Sequence, residues 1–235
     1  MIEDKFRFSF NNIQKQYKEA KNHGYSVVTC EEFVLRKNNG TLTERMLINR
    51  VDIDFSVKKA ERLGHIFKNL GIKASFFVRL HAPQYNPFSF ENYRILKSLL
   101  VSGNEIGYHS EVIDQFEIWN ESLEENLLRD IEIINRMFNM KISGLASHRG
   151  MTGFNNLNFW KNRKASDYGL LYEAYDWFNE TFYISDSEWT QWKCYDRGIL
   201  QKGDRRCLVE HLADAHPIIY LLIHSDTYFD RHIYE

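Results

Sequence analysis

Two kinds of apolar run alternate along the chain. Leu47-Ile48-Asn49-Arg50-Val51-Asp52-Ile53-Asp54 has the length and composition of a buried strand. Behind it Ser56 stands where it can cap a helix, and the apolar positions Val57, Ala60, Leu63, Phe67 and Leu70 keep a helical period until Gly71 stops it. The unit then recurs: Ala74 to Val78 reads as a strand, Phe90 to Val101 as a helix ended near Gly103, and Glu105 to His109 as the next strand. Ser122 and Glu125 have capping-box spacing ahead of Leu127, Leu128, Ile131, Ile134 and Phe138, and Ile142 to Ala146 forms a further strand. Beyond Gly150 the pattern weakens to short strands over Leu170–Tyr175 and Thr181–Ile184 and a short helix over Val209–Ala215. It closes on Pro217 to Ile223, a fully apolar run that ends in His224. Strand and helix alternating in this way predict a parallel sheet, open or closed into a barrel.

No repeat, low-complexity tract or Pro/Gly/Ser-rich linker divides the chain, so residues 1–235 read as a single domain. The segment 1–22 precedes the first strand and is expected to be a peripheral cap or partner surface. Hydrophobic residues at 43% suffice for a sizeable core, while a net charge of −2 provides no broad field for nucleic acid or an anionic membrane. The expected partner is therefore small or neutral. Cys30, Cys194 and Cys207 are odd in number and lack ligand-pair spacing, which argues against a disulfide framework or a zinc ribbon. The N-terminus breaks its apolar residues with charges, and no later run approaches the roughly 20 apolar residues of a membrane span. A cytoplasmic location is the expectation.

The chemistry gathers where strands end. Asp54, His109, His148 and His224 each close a predicted strand, and in parallel α/β folds the carboxyl ends of the strands form the active-site face. One histidine in such a place is more often structural than functional; four coincident strand ends argue for a site. Asp52 and Asp54 are two apart and project to the same side, and carboxylates that close call for a cation. Carboxylates with neutral imidazoles suit a divalent transition ion, zinc foremost, with cobalt, nickel, iron and manganese also admitted by the donor set. The bland alternative is that Asp52 pairs with Arg50 or caps the next helix. Tyr175, Trp177, Asp186, Trp189, Trp192 and Tyr228 are available to line a sugar groove, Asp186 foremost, since aromatic faces stack on sugars. His81, at the end of Arg79-Leu80-His81, is either a substrate contact or structural.

These residues carry a resemblance. Arg50-Val51-Asp52-Ile53-Asp54, Asn104-Glu105-Ile106-Gly107-Tyr108-His109, Ser147-His148-Arg149-Gly150 and Leu221-Leu222-Ile223-His224 resemble, in order and spacing, the successive motifs of the polysaccharide deacetylase superfamily, the NodB-homology group of carbohydrate esterases. The first motif is similar to that of a divergent branch with Asp-x-Asp, in which Tyr183-Ile184-Ser185-Asp186-Ser187 followed by Trp189 or Trp192 is also familiar and which often accompanies surface-polysaccharide synthesis. The resemblance implies a distorted (β/α) barrel of parallel strands. It also implies hydrolytic removal of an acyl group, usually N-acetyl from an amino sugar in a glycan or its precursor, by metal-activated water. Asp52 would then be the general base, Asp54 and His109 metal ligands, and His224 the acid that protonates the leaving amine. The family's His-x-x-x-His is broken here, because Ile113 stands four residues after His109. His148 is the expected third ligand, with Glu111 and Asp114 in reserve, and Arg149 is placed to hold or orient Asp52.

Overall fold

In the computed structural model, which describes residues 4–231, that alternation becomes a curled, mostly parallel sheet wrapped by helices. The elements in chain order are α1 (Phe10–Asn22), β1 (Ser26–Val28), α2 (Cys30–Asn38), β2 (Met46–Ile53), α3 (Val57–Leu70), β3 (Ser75–Val78), α4 (Phe90–Val101), β4 (Glu105–Ser110), α5 (Val112–Trp119), α6 (Leu123–Phe138), β5 (Gly144–Ser147), β6 (Tyr172–Glu173), β7 (Phe182–Ser185), β8 (Lys193–Asp196), β9 (Ile199–Leu200), α7 (Leu208–His211) and β10 (Ile218–His224). The helix boundaries follow local chemistry. Ser56 Oγ accepts from the Lys59 amide to start α3, and Gly71 ends it at a φ of 65°, a left-handed conformation that costs glycine little. Ser122 Oγ does the same for α6 through the Glu125 amide. The helix expected over Val209–Ala215 is one α-helical turn continued by a 3₁₀ turn, Leu212–Asp214. The strand expected over Leu170–Tyr175 narrows to two residues.

Strands β6-β5-β4-β3-β2-β10-β7 run parallel in that order, and β8 and β9 extend β7 as an antiparallel ribbon. Along β2, β10 occupies one edge from Met46 to Asp52, while β1 and then β3 share the other. Alternate residues face opposite ways, as strand geometry requires. Leu47, Val51 and Ile53 join the outer core with Ala60, Leu63 and Phe67 of α3. Val28 and Ile48 join Phe77, Ala146, Tyr172, Tyr183, Tyr220 and Leu222 in a second cluster drawn from seven strands, which is possible only if the sheet curls around it. Phe33 and Val34 of α2 belong to the same inner cluster. No ladder joins β6 to β7; in the connection between them Trp177 packs on Tyr172 of β6, and Tyr175 and Phe178 pack on Tyr183 of β7. The barrel is accordingly distorted, closed there by aromatic rings and not by hydrogen bonds.

Two inner-face glycines make room for those rings. A Cβ on Gly107 would stand 2.6 Å from the Phe77 ring, and one on Gly144 would stand 2.2 Å from the Tyr172 ring. Of the segment expected to be peripheral, residues 1–3 lie outside the described residues. The helix α1 that follows lies on the outer side, where it buries Ile13, Tyr17 and Ala20. Tyr17 packs edge-on against Phe67, and its hydroxyl donates to Asn49 Oδ1 at 2.6 Å. No helix among the described residues is long and apolar enough to cross a membrane.

Candidate active site

The inner-face parity of β2 carries Ile48, Arg50, Asp52 and then Asp54 towards the carboxyl end of the barrel. On β10, Tyr220 and Leu222 take that same face and lead to His224, which lies in direct register with Asp52. On β4 the face runs through Gly107 to His109, and on β5 through Ala146 to His148, just past the strand. Four separate strands thus deliver one carboxylate pair and three imidazoles to one rim.

Their donor atoms converge. His109 Nε2 lies 3.4 Å from Asp54 Oδ1 and 3.3 Å from Asp52 Oδ2, and His148 Nε2 lies 4.0 Å from Asp54 Oδ1. An ion with ligands at about 2.0–2.2 Å spaces tetrahedral donors about 3.3–3.6 Å apart, so Asp54, His109 and His148 fit a divalent ion with little adjustment. Two further observations support the fit. Asp54 Oδ1 is buried without a hydrogen-bond partner. His109 Nδ1 is 2.8 Å from the Ala146 carbonyl, which can only accept, so the proton sits on Nδ1 and Nε2 faces the carboxylates. Either a second proton or a metal ion must lie between Nε2 and those oxygens.

The electrostatics divide the site. Burial pushes the His148 pKa down, and the neighbouring His109 lowers it further, to about 3, leaving a neutral imidazole suited to ligation. For Asp54, burial opposes ionisation, but the adjoining His109 and the charge of His224 outweigh it and hold the carboxyl well below its usual range. His224 is the opposite case: burial disfavours its charged form, yet Asp186, followed by Asp54 and Asp52, pushes its pKa up to about 10. Its Nδ1–H donates to Asp186 Oδ1 at 2.6 Å and its backbone N–H to both Asp186 oxygens, while Nε2 lies 3.9 Å from Asp54 Oδ2. At neutral pH His224 is a held imidazolium beside the carboxylates.

Asp52 is also fixed, though by an unexpected residue. Arg50 Nε and Nη2 donate to Asp52 Oδ1 and Oδ2, each at 2.8 Å, from a fully buried position two residues back on the same face. The guanidinium itself lies over Tyr175 and Phe77 at 4.7 and 5.5 Å and donates to the Tyr220 hydroxyl. Burial raises the Asp52 pKa, but Arg50 and then His109 overcome it, so the carboxyl stays ionised. Arg149, expected to hold Asp52, is instead exposed; the structure gives its expected place to Arg50, the pairing that the sequence admitted as the bland alternative. That signal was present in the sequence, as an arginine in the middle of a buried strand must find a carboxylate, and Asp52 follows two residues on.

The reserve ligands have other partners. Glu111 Oε1 accepts from Arg79 Nε and Nη2 at 3.0 and 2.6 Å, with both residues buried. Asp114 accepts from the amides of Met151 and Thr152, the Thr152 hydroxyl and the Asn156 amide, and so shapes the loop after β5. Two expected substrate contacts need correcting. Asp186 is fully buried with both oxygens bonded to His224, so it acts on substrate only through that histidine. His81 Nε2 lies 3.0 Å from Asp130 Oδ2 and its ring abuts Trp119 edge-on, contacts that lie outside the carboxylate–imidazole cluster. Trp189 is partly exposed, with a φ of 62° that is rare for a bulky residue, and its ring lies 5.6 Å from that of Phe55, the residue after Asp54. Of the other groove aromatics, Trp177, Trp192 and Tyr228 are buried in the cores, and Tyr175 packs beside Arg50.

Fold and site together define a distorted parallel α/β barrel with an Asp–His cluster at the carboxyl ends of its strands. No family model matches the chain, and no curated protein matches it in sequence. Among solved structures it is similar to IcaB from Ammonifex degensii, at 16% identity and a TM-score of 0.48, over 59% of this chain and 66% of that one. It is also similar to the Streptococcus pyogenes deacetylase PplD in complex with acetate, at 15% identity and a TM-score of 0.44, over 58% and 61%. A third is a BA3943 mutant, described as a CE4 family pseudoenzyme with restored enzymatic activity, at 17% identity and a TM-score of 0.46, over 80% and 64%. The matched region spans less than two thirds of the length of each of these chains.

Proposed function

We propose that the protein is a metal-dependent hydrolase that removes an acyl group, in the first instance N-acetyl, from an amino sugar of a glycan or glycan precursor. One observation carries the reading: Asp52 and His224 lie side by side in register across the β2–β10 ladder, flanking the convergent donors of Asp54, His109 and His148. A divalent ion held by those three residues, zinc being the best match to the donors, would polarise an acyl oxygen and ease ionisation of water.

The chain's own residues supply the rest. Asp52, kept ionised and aimed by Arg50, takes the proton of the attacking water. His224, kept protonated and oriented by Asp186, gives a proton to the departing nitrogen. The base and acid project from neighbouring strands, β2 and β10, onto the same rim. The exposed Phe55–Trp189 pair, adjoining Asp54 in sequence and Asp186 in the loop after β7, offers an aromatic surface for a pyranose face. Zinc-loaded protein should release acetate from N-acetylated amino sugars and their oligomers. Absence of release across a panel that also includes acetyl esters and cyclic amides would remove the hydrolase reading.

A second reading is favoured by the doubled grip of Arg50 on Asp52. A carboxylate with both oxygens in a guanidinium fork and a lowered pKa is a weak base. On that reading the protein binds a glycan and metal without turnover, and saturable sugar binding with no acetate released is its signature.

A further inference from the structure

Two buried polar atoms at the back of the rim lack partners and belong to neighbouring side chains. His148 Nδ1 makes no hydrogen bond, nor does Glu111 Oε2, although His148 Nδ1 lies 3.7 Å from Glu111 Oε1. Unpaired buried polar atoms are costly, and two of them on neighbouring side chains point to an interaction completed on binding. Arg79 puts both of its donors to Glu111 on Oε1, which leaves Oε2 able to accept. Glu111 stands at the start of α5, directly after β4, so its position is set by the strand that carries His109.

We infer that Glu111 is the positioning partner of His148: it accepts the Nδ1 proton, which fixes the tautomer with Nε2 free and turns that nitrogen towards Asp54. This rests on the reading of Asp54, His109 and His148 as the ligand set. Glu111 is assigned the outer position because Arg79 holds its Oε1 with two donors; it also converges with Asp114 and His148 closely enough to hold an ion, and a double variant with His148→Ala separates the two roles. The 3.7 Å separation is to Oε1, which Arg79 already occupies, so a rotation of the imidazole and carboxylate that presents Oε2 to Nδ1 would complete the bond. Arg79 steadies the arrangement, since its Nη1 donates to the Asp54 carbonyl at 3.3 Å while its other nitrogens hold Glu111. Histidine ligands commonly use a carboxylate in this way, and losing such a partner costs about 10–100-fold in metal affinity.

Zinc affinity, measured by competition against a chromophoric chelator, tests this in the full chain. Glu111→Ala should still bind one zinc but about 10–100-fold more weakly, and Glu111→Gln, whose amide oxygen can accept, should recover much of the loss. In the double variant with His148→Ala, removing Glu111 should cost nothing beyond His148→Ala alone, because it acts only through that imidazole. Additive losses would make Glu111 an independent ligand and overturn the inference, as would unchanged affinity in Glu111→Ala. Should Glu111→Ala fail to fold, nitrogen-15 NMR of the zinc-loaded wild type decides: His148 protonated on Nδ1 and ligated through Nε2 supports the inference, and ligation through Nδ1 overturns it. A wild type that binds no zinc stoichiometrically would refute the ligand set itself, a failure visible before any Glu111 variant is made.

Discussion

Arg50 and Asp52 stand two residues apart on the inner face of β2, and the guanidinium of the first grips both oxygens of the second at 2.8 Å. The charge that keeps Asp52 ionised therefore comes from its own strand, inside the barrel, and is walled by Phe77, Tyr175 and Tyr220. Such a pair is fully desolvated, and removing one member leaves the other charge buried alone. Arg50→Met should accordingly destabilise the fold by about 3–5 kcal/mol, read as a lower urea midpoint. Arg149→Ala, at an exposed position, should shift stability by no more than about 0.5 kcal/mol. Equal effects of the two would put the wrong arginine beside Asp52.

Asp54→Ala, His109→Ala and His148→Ala should each lower the zinc content of the purified protein, by elemental analysis, while circular dichroism stays native. Acid should act in the same direction. Burial disfavours the His109 cation, but Asp52 and Asp54 raise its pKa above the ordinary value, so a proton competes with the ion for Nε2. Zinc affinity should weaken as pH falls, and the His109→Ala variant should lose most of that dependence.

Asp52→Asn and His224→Gln should keep the fold and the metal while losing about 10²–10⁴-fold in turnover on an acetylated amino sugar. Asp186→Asn should give a smaller loss and shift the alkaline limb of the pH profile downwards, because it removes the charge that keeps His224 protonated. Loss of zinc from Asp52→Asn would make that residue a ligand, and near-normal turnover in either of the first two variants would remove it from the mechanism.

Gly107→Ala should destabilise by about 1–3 kcal/mol, the range for overpacking a filled core, because the new methyl meets the Phe77 ring and the Gly144 carbonyl at once. A thermal melt checks it. Unchanged stability would mean that the inner aromatic cluster is looser than its contacts indicate.

Glu105 gives the stability a pH dependence of defined sign. Burial raises its pKa from 4.5 to about 7, despite hydrogen bonds from Ser75, Tyr172 and the Glu31 amide. Between those values the folded chain holds a proton that the unfolded chain has released, so stability is greatest at the acid end and falls as pH rises through about 7. Glu105→Gln should flatten this slope in urea titrations between pH 4.5 and 7. An equally steep slope in the variant would assign the proton elsewhere, Glu173, also raised to about 7 by burial, being the next to test.

Local order along the chain was enough to place the polar ends of four strands. Asp54, His109, His148 and His224 each follow a run whose parity and length mark a buried strand, and strand parity requires Asp52 and Asp54 to share a face whatever surrounds them. Capping residues such as Ser56 and Ser122 likewise act within one turn, which is why both ends of α3 and the start of α6 were legible. Partnership across the sheet was not. His224 meets Asp52 because β10 lies beside β2, a neighbour relation set by strand order and not by hydrophobic period. Asp186 is drawn to His224, and Glu111 to Arg79, by burial that leaves each charge no other recourse. Arg149 was the expected partner of Asp52 and Arg50 the alternative; the curling of the sheet, which buries Arg50 and leaves Arg149 in water, decided between them.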